Sequence, residues 1–345
     1  MDRVTRIHLS ADCYVVAMTE STQITLAETP TDKLSESHFS QQSAVLPDLE
    51  DGQFLVQVKY LSIDPTIRGW VAHETYLPKI QEGEVIRSLG AGEVIESRND
   101  SFPPGTRVSG LTGWQDLAIM DSGFRIPEAV SYEDALSVFG MTGLTAYVGV
   151  LDIGQPKAGE TMVVSGAAGA VGSVAGQIAK ARGATVVGVA GTPEKCRWVV
   201  EDLGFDACIN YREGSIPRQL REACPKGIDV YFDNVGGETL DAVLGQIRDH
   251  ARVVMCGAIA NYDTGKLPPG PANIVNVIPR RARLQGFIVL DHYDRASEAT
   301  ATMARWLSEG RIKTAFTVTE GLASAPDALL GLFTGRNTGK TLVKL

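Results

Sequence analysis

Hydrophobic and polar positions alternate in three styles along the chain. Through about residue 131 the apolar runs are short and broken by turn formers: Phe54-Leu55-Val56-Gln57-Val58-Lys59-Tyr60, Val85-Ile86, Gly92-Glu93-Val94-Ile95, and Arg107-Val108 after Pro103-Pro104-Gly105. Runs of this kind bounded by Gly and Pro predict strands, so this part is expected to be mostly β. From about 132 to 290 the rhythm becomes strand, glycine turn, helix, strand, with Val/Ile-rich runs at 161–165, 185–190, 229–233, 252–256 and 286–289. Strands that lack polar alternation and are separated by helices mark a parallel sheet covered on both faces. The tail returns to the first style, with a helix over 298–309, a strand over 315–318, a helix over 325–334 and a last strand over 341–345. The simplest assembly lets the tail rejoin the N-terminal part. The expected class is α/β: a doubly wound parallel sheet over 131–302, and a mostly-β unit from 1–130 completed by 303–345.

Composition narrows the field. A chain of 345 residues with 44% hydrophobic and 21% charged residues has room for about two domains, each with its own core. Lys+Arg number 32 against 41 Asp+Glu, a net −9, and no basic run offsets it, so nucleic acid is not an expected partner. No apolar stretch approaches the 18 or so residues of a membrane span, and the first ten residues carry no apolar signal region; a cytoplasmic protein without a membrane partner is expected. Cys13, Cys196, Cys208, Cys224 and Cys256 are odd in number and widely spaced, as reduced intracellular thiols are.

The segment with most chemical content is Thr161-Met162-Val163-Val164-Ser165-Gly166-Ala167-Ala168-Gly169-Ala170-Val171-Gly172. A strand runs into a glycine turn and then a helix start, where backbone N–H groups and the helix dipole attract an anion such as a dinucleotide pyrophosphate. The pattern is A-x-G-x-x-G, a variant of the G-x-G-x-x-G fingerprint; small residues that only let helix and strand pack would look the same. An NAD site would carry an acid at the tip of the second strand, about 20 residues on. Here the tip is Gly191, followed four residues later by Lys195. A 2′-phosphate would welcome Lys195, although a solvated helix lysine is the alternative. Tyr211, after a strand-like run at 207–210, could close over the adenosine end or be a surface tyrosine.

Several further segments resemble one family. Gly140-Met141-Thr142-Gly143-Leu144-Thr145-Ala146-Tyr147, the 167–172 turn, Asp233-Asn234-Val235-Gly236-Gly237, Cys256-Gly257-Ala258-Ile259 and Leu267-Pro268-Pro269-Gly270-Pro271 resemble the zinc-independent medium-chain dehydrogenases/reductases, in particular the prostaglandin, alkenal and curcumin reductases. Leu61-Ser62-Ile63-Asp64-Pro65-Thr66-Ile67-Arg68-Gly69 and Asn337-Thr338-Gly339-Lys340-Thr341 resemble the same subfamily, so the likeness spans about 50 to 345. It implies a Rossmann domain, a GroES-like domain, NADPH/NADP+ as cofactor, a homodimer, and a small α,β-unsaturated carbonyl as substrate.

The resemblance also assigns positions. Gly169, Ala170, Val171 and Gly172 would lie along the pyrophosphate, Lys195 and Tyr211 at the 2′-phosphate, and Asn234 near the ribose. Cys256, Gly257, Ala258, Ile259 and Tyr262 would wrap the nicotinamide end, with Phe287, Ile288 and Val289 flanking the ring and Met141 and Thr142 lining its pocket. Asn337 would reach back from the tail. Cys256 would act through its backbone. Many relatives carry Tyr-Met where this chain has Thr66-Ile67, positions that face the substrate pocket, so a wider pocket is implied.

A metal is not expected. Zinc ligands in this superfamily would be Cys, His and carboxylate, yet the glycine-rich segment Leu89-Gly90-Ala91-Gly92-Glu93 lacks the usual histidine. His8, His38, His73, His250 and His292 form no ligand-spaced set. Without a Lewis acid, alcohol dehydrogenation is hard to sustain, and reduction of a conjugated C=C remains. Hydride addition at the β-carbon puts negative charge on the carbonyl oxygen, so a donor is needed there. The resemblance gives this task to Tyr262, a neutral phenol at pH 7; packing on the cofactor or capping the loop is its other reading. Asp64 reads as the cap of the following helical turn, and Arg68 as the partner of a nearby carboxylate. A quinone oxidoreductase and a non-catalytic NADPH-binding protein are the two alternative functions.

Overall fold

The computed structural model describes residues 19–263 and 269–345; His8 and Cys13, and Leu267 and Pro268 of the 267–271 motif, lie outside the described residues. The polar-rich strands β1 (Glu20–Leu26) and β2 (Phe39–Val45) pair antiparallel as a two-stranded ribbon. A larger sheet is built from β3 (Phe54–Ile63), β4 (Leu89–Ser97), β5 (Arg107–Leu111), β6 (Leu117–Met120) and β7 (Phe124–Arg125). Its inward faces close on Phe54, Val56, Ile63, Ile86 and Trp114, all buried.

The middle of the chain supplies β8 (Thr161–Ser165), β9 (Thr185–Ala190), β10 (Ala207–Asn210), β11 (Ile228–Asp233), β12 (Ile247–Met255) and β13 (Arg283–Gly286). They form one sheet in the order β10-β9-β8-β11-β12-β13, every neighbour parallel. That is the doubly wound order expected from the sequence, with its switch point between β8 and β11. All five residues of β8 and all six of β11 are buried, which is why their centres, Met162–Val164 and Val230–Phe232, read as apolar without polar alternation. The tail contributes β14 (Phe316–Glu320) and β15 (Lys340–Lys344), which add to the first sheet through an antiparallel pairing of β15 with β3.

Two strand expectations need correction. The run at 286–289 is displaced by three residues: β13 pairs Arg252–Met255 of β12 and stops at Gly286, opposite the last residue of β12, after which the chain turns toward the cleft. Val85-Ile86 forms no strand; Val85 makes only an isolated bridge to Thr25.

The tail joins the two sheets at Gly339. Gly339 N–H donates to Ala168 O at 2.8 Å and Gly339 bridges Gly169, so the tail fastens the glycine turn. A Cβ at Gly339 would lie 2.0 Å from Ala315 O, and its φ is +68°, so no other residue fits. The next side chain, Lys340, is 1% exposed; its Nζ donates to Asp64 Oδ1 at 2.5 Å and Ile63 O at 3.1 Å. Asp64 thus holds Lys340 and, through its other oxygen, Ser62 Oγ; it does not cap the helical turn as its sequence position suggested. Lys340→Ala should remove about 2 kcal/mol of folding stability, because the Ile63 carbonyl and a partly exposed Asp64 lose their charged donor. Urea denaturation measures this, and a loss under about 1 kcal/mol would deny the junction its importance.

Candidate active site

A cavity of about 990 Å³ runs along the C-terminal ends of the parallel strands and between the two sheets. At its centre β8 ends at Ser165, Gly166 turns with φ +59°, and the helix Ala170–Ala181 begins. Gly169 stands at the N-cap with no side-chain cap, so the first-turn amides are left to the cleft. A Cβ at Gly172 would sit 2.2 Å from Gly166 O, so the helix start can approach the strand only with glycine there. Gly169, Ala170, Val171 and Gly172 all line the cavity, and the fold supplies the cradle a pyrophosphate needs.

At one end β9 stops at Ala190 and Thr192 caps the helix Pro193–Glu201, its Oγ1 accepting from Lys195 N at 3.2 Å. Lys195 is half-buried and faces the cavity, its Nζ donating to Gly335 O at 2.7 Å. It is therefore not the solvated helix lysine of the alternative reading. Burial pulls its ammonium below the usual lysine range, and the charge of Arg212 adds to the effect. Arg212 lines the same end and donates from Nη2 to Thr334 O at 3.1 Å. Sequence reasoning missed it, although it directly follows Tyr211. The Tyr211 ring lies where a side chain at 191 would go: a Cβ on Gly191 would be 2.8 Å from the Tyr211 hydroxyl. Two cations and an aromatic ring thus converge at a strand tip that carries no carboxylate, an arrangement that could take an anionic group.

The opposite end is built from the starts of elements on both sides of the switch point. Met141 and Thr142 open the helix Met141–Val148, Asn234 follows β11, and Cys256, Gly257, Ile259, Phe287, Ile288 and Val289 follow β12 and β13; all line the cavity. Asn234 Nδ2 donates to Ser165 O at 2.7 Å, tying the two strand ends together. Burial and the nearby Asp233 push the Cys256 thiol up to about 12, so it stays protonated at neutral pH. Asn337 lines the cavity from the tail, with Nδ2 donating to Gly339 O at 3.2 Å. Ala258 is the one expected contact that lies off this wall. Its N–H instead donates to the Tyr262 hydroxyl oxygen at 3.1 Å.

That bond bears on both readings of Tyr262. The phenol does cap its own loop, but as an acceptor, so the hydroxyl proton is not used by it. Tyr262 lines the cavity, and burial, partly offset by the Ala258 bond, raises it above the ordinary phenol range. Across from it lie Thr66 and Ile67, with Tyr76 nearby, a phenol also raised by burial. Arg68, just past Ile67, finds its carboxylate 195 residues away: its Nε donates to Asp263 Oδ1 at 2.9 Å. Phe124 and Tyr293 stack across the rim, centroids 6.2 Å apart. Tyr76, Phe124 and Tyr293 carried no sequence signal, since each is a lone aromatic in a loop or short element.

Comparison with known proteins agrees with this layout. Residues 22–126 match the family model described as the N-terminal domain of oxidoreductase, and residues 170–309 the one described as zinc-binding dehydrogenase. The chain is 42% identical over 306 residues to the NADPH-dependent curcumin reductase of Escherichia coli, covering 86% of this chain and 88% of that one. It is 43% identical over 319 residues to prostaglandin reductase 1 of Mus musculus, covering 90% and 94%. Among solved structures, CurA from Vibrio vulnificus in complex with NADPH superposes with a TM-score of 0.90 at 40% identity, covering 94% of this chain and 98% of that one. The second family description implies zinc, but the residues present do not fit it: among the described residues no three His, Cys, Asp or Glu side chains gather to hold a metal ion.

The environment of Tyr262 makes a direct prediction. Ultraviolet phenolate titration of the protein and of Tyr262→Phe should differ by one phenol that ionises above about 10. A tyrosine missing from the titration below that value would contradict the buried setting.

Proposed function

The chain belongs to the reductase subfamily of the medium-chain dehydrogenase/reductase superfamily, and on that premise we propose that it is an NADPH-dependent reductase of the C=C bond of α,β-unsaturated aldehydes and ketones. The observation that carries the reading is the single cavity holding two cations at one end and a buried, neutral phenol at the other. Lys195, Arg212 and Tyr211 would hold the 2′-phosphate of NADPH, the amides at 170–172 its pyrophosphate, and Phe287, Ile288 and Val289 would line the nicotinamide end. The chemistry such a cofactor would supply there is a hydride for the β-carbon of the substrate. Tyr262 donates its proton in a hydrogen bond to the carbonyl oxygen as negative charge gathers there, while the Ala258 N–H steadies the phenol from behind. The α-carbon then takes a proton from Tyr262 or from water. The cleft walls exclude bulk water, which strengthens the donor's effect. No step is assigned to a metal.

Residues 1–130 with 303–345 form the unit that carries Thr66 and Ile67, and 131–302 the unit that carries the cofactor. Two copies pair along the outer edge of β13. Support comes from that strand's terminal place in its sheet and from the exposed Ile274, Val275 and Ile278 that lead into it, the last 80% exposed. Ile278→Asp should halve the mass measured by light scattering; an unchanged mass would move the interface elsewhere.

Lys195→Ala should raise the KM for NADPH about tenfold or more and that for NADH by less than about twofold, since only the phosphate contact is lost. Equal effects on the two cofactors would remove the 2′-phosphate assignment. Tyr262→Phe should lower kcat about tenfold or more with little change in NADPH binding, and wild-type kcat should not fall between pH 6 and 9 from loss of this proton, because the donor form persists below its raised value. The function is tested by anaerobic NADPH oxidation against 2-nonenal, a simple enone, a quinone and a saturated alcohol with NADP+, with products identified by mass spectrometry. A saturated aldehyde or ketone supports the reading. Turnover of the quinone alone would replace it with NADPH:quinone oxidoreduction, and no turnover would leave an NADPH-binding protein.

A further inference from the structure

We propose that the buried ion pair between Arg68 and Asp263 is a positioning device for Tyr262, an inference that rests on the donor role assigned to that phenol. Asp263 follows Tyr262 directly, at the end of the four-residue helix Ile259–Tyr262. Its Oδ1 accepts from Arg68 Nε at 2.9 Å and from the Leu34 backbone N–H at 2.8 Å. Arg68 also donates from Nη2 to Asp32 O at 2.6 Å, and the two side chains are 5% and 18% exposed. Three segments that are far apart in sequence therefore meet on one carboxylate: 32–34, the helix Ile67–Trp70, and the Tyr262 loop.

The stretch from Cys256 to Asp263 is held from two sides. Its start hangs on the parallel sheet: Cys256 N and Gly257 N donate to Asp233 O at 2.9 Å, Ile259 N to Asn234 O at 3.2 Å, and Ala260 N to Val235 O at 3.1 Å. The Ala258 bond fixes the phenol within the loop but does not fix the loop against the facing wall. Asp263 does that, because Arg68 sits on the short helix whose first residue is Ile67, the cavity-lining residue next to Thr66. The ion pair thus sets the separation between the proton donor and the wall the substrate lies against. Displacing a reacting group by about 1 Å can cost on the order of a hundredfold in rate. Neither residue touches substrate or cofactor in this scheme; both act through Tyr262.

Asp263→Asn and Arg68→Lys, each alone and combined with Tyr262→Phe, form two double-mutant cycles read with 2-nonenal. Thermal unfolding of each variant confirms that the protein assayed is folded. Each single change should lower kcat about tenfold or more, leave the KM for NADPH within about twofold, and cost less than about a further twofold once Tyr262 is Phe. With Tyr262→Phe itself lowering kcat, losses of equal factor in both backgrounds, or unchanged kcat in the single variants, overturn the proposal. Should Asp263→Asn fail to fold, the Arg68→Lys cycle decides alone, since it keeps a cation beside Asp263 and loses the fork that reaches Asp32. An inert Tyr262→Phe with the Asp263 loss intact would instead refute the donor assignment, which separates failure of the function reading from failure of this one.

Discussion

The junction of Asn337 to Lys340 with the two sheets is the constraint on which the cleft depends. The two sheets close on separate hydrophobic clusters, one around Val164, Phe232 and Val254 and the other around Phe54, Ile63 and Trp114. The tail carries a main-chain bond from Gly339 to the glycine turn and, one residue later, buries an ammonium against Asp64. A buried lysine is tolerated only with a carboxylate and further acceptors in place, and Asp64 with Ile63 O supplies them. The glycine turn after β8 and the turn at Asp64 are therefore indexed to consecutive residues of one strand end. A shift of either turn would break a main-chain bond or strand a charge.

Electrostatics divides the cavity as the junction divides the fold. Among the described residues Lys195 and Arg212 make no ion pair; both rest on carbonyls at the C-terminal end of the helix Ala325–Thr334, the negative end of its dipole. Carbonyl partners leave the two cations with most of their charge uncompensated and directed at one place. The far end holds a phenol that burial keeps neutral and a thiol that burial keeps protonated. Anionic and neutral chemistry are thus kept apart within one space.

How much of this was legible in the sequence follows from the range of the interactions. Strands at 161–165, 185–190 and 207–210 and the helix at 325–334 match the observed bounds, because largely buried strands and a helix bounded by Pro326 and Gly335 declare themselves locally. The edge strand β13 was misplaced, since its end is set by where β12 ends and not by its own residues. The polar-rich strands β1 and β2 carry too few apolar residues, Ile24 and Leu26 in one and Phe39 and Val45 in the other, to form a run. The glycine turn, Lys195 and Tyr262 could be named from motif spacing. The contacts of Asp64 with Lys340 and of Arg68 with Asp263, the anchoring of Lys195 and Arg212 on the carbonyls at 334 and 335, and the stacking of Phe124 on Tyr293 depend on chain crossings of 100 to 300 residues and carry no local trace.

Gly191 has a consequence for how such a site can change over evolutionary time. Because the Tyr211 ring fills the volume beside it, an acid introduced at 191 would displace the ring before it could reach a ribose hydroxyl. A side chain gained at 191 is therefore felt first at 211, where the exposed ring can swing outward to admit it. The two positions behave as one unit, in which the pose of the ring answers to the size of its neighbour.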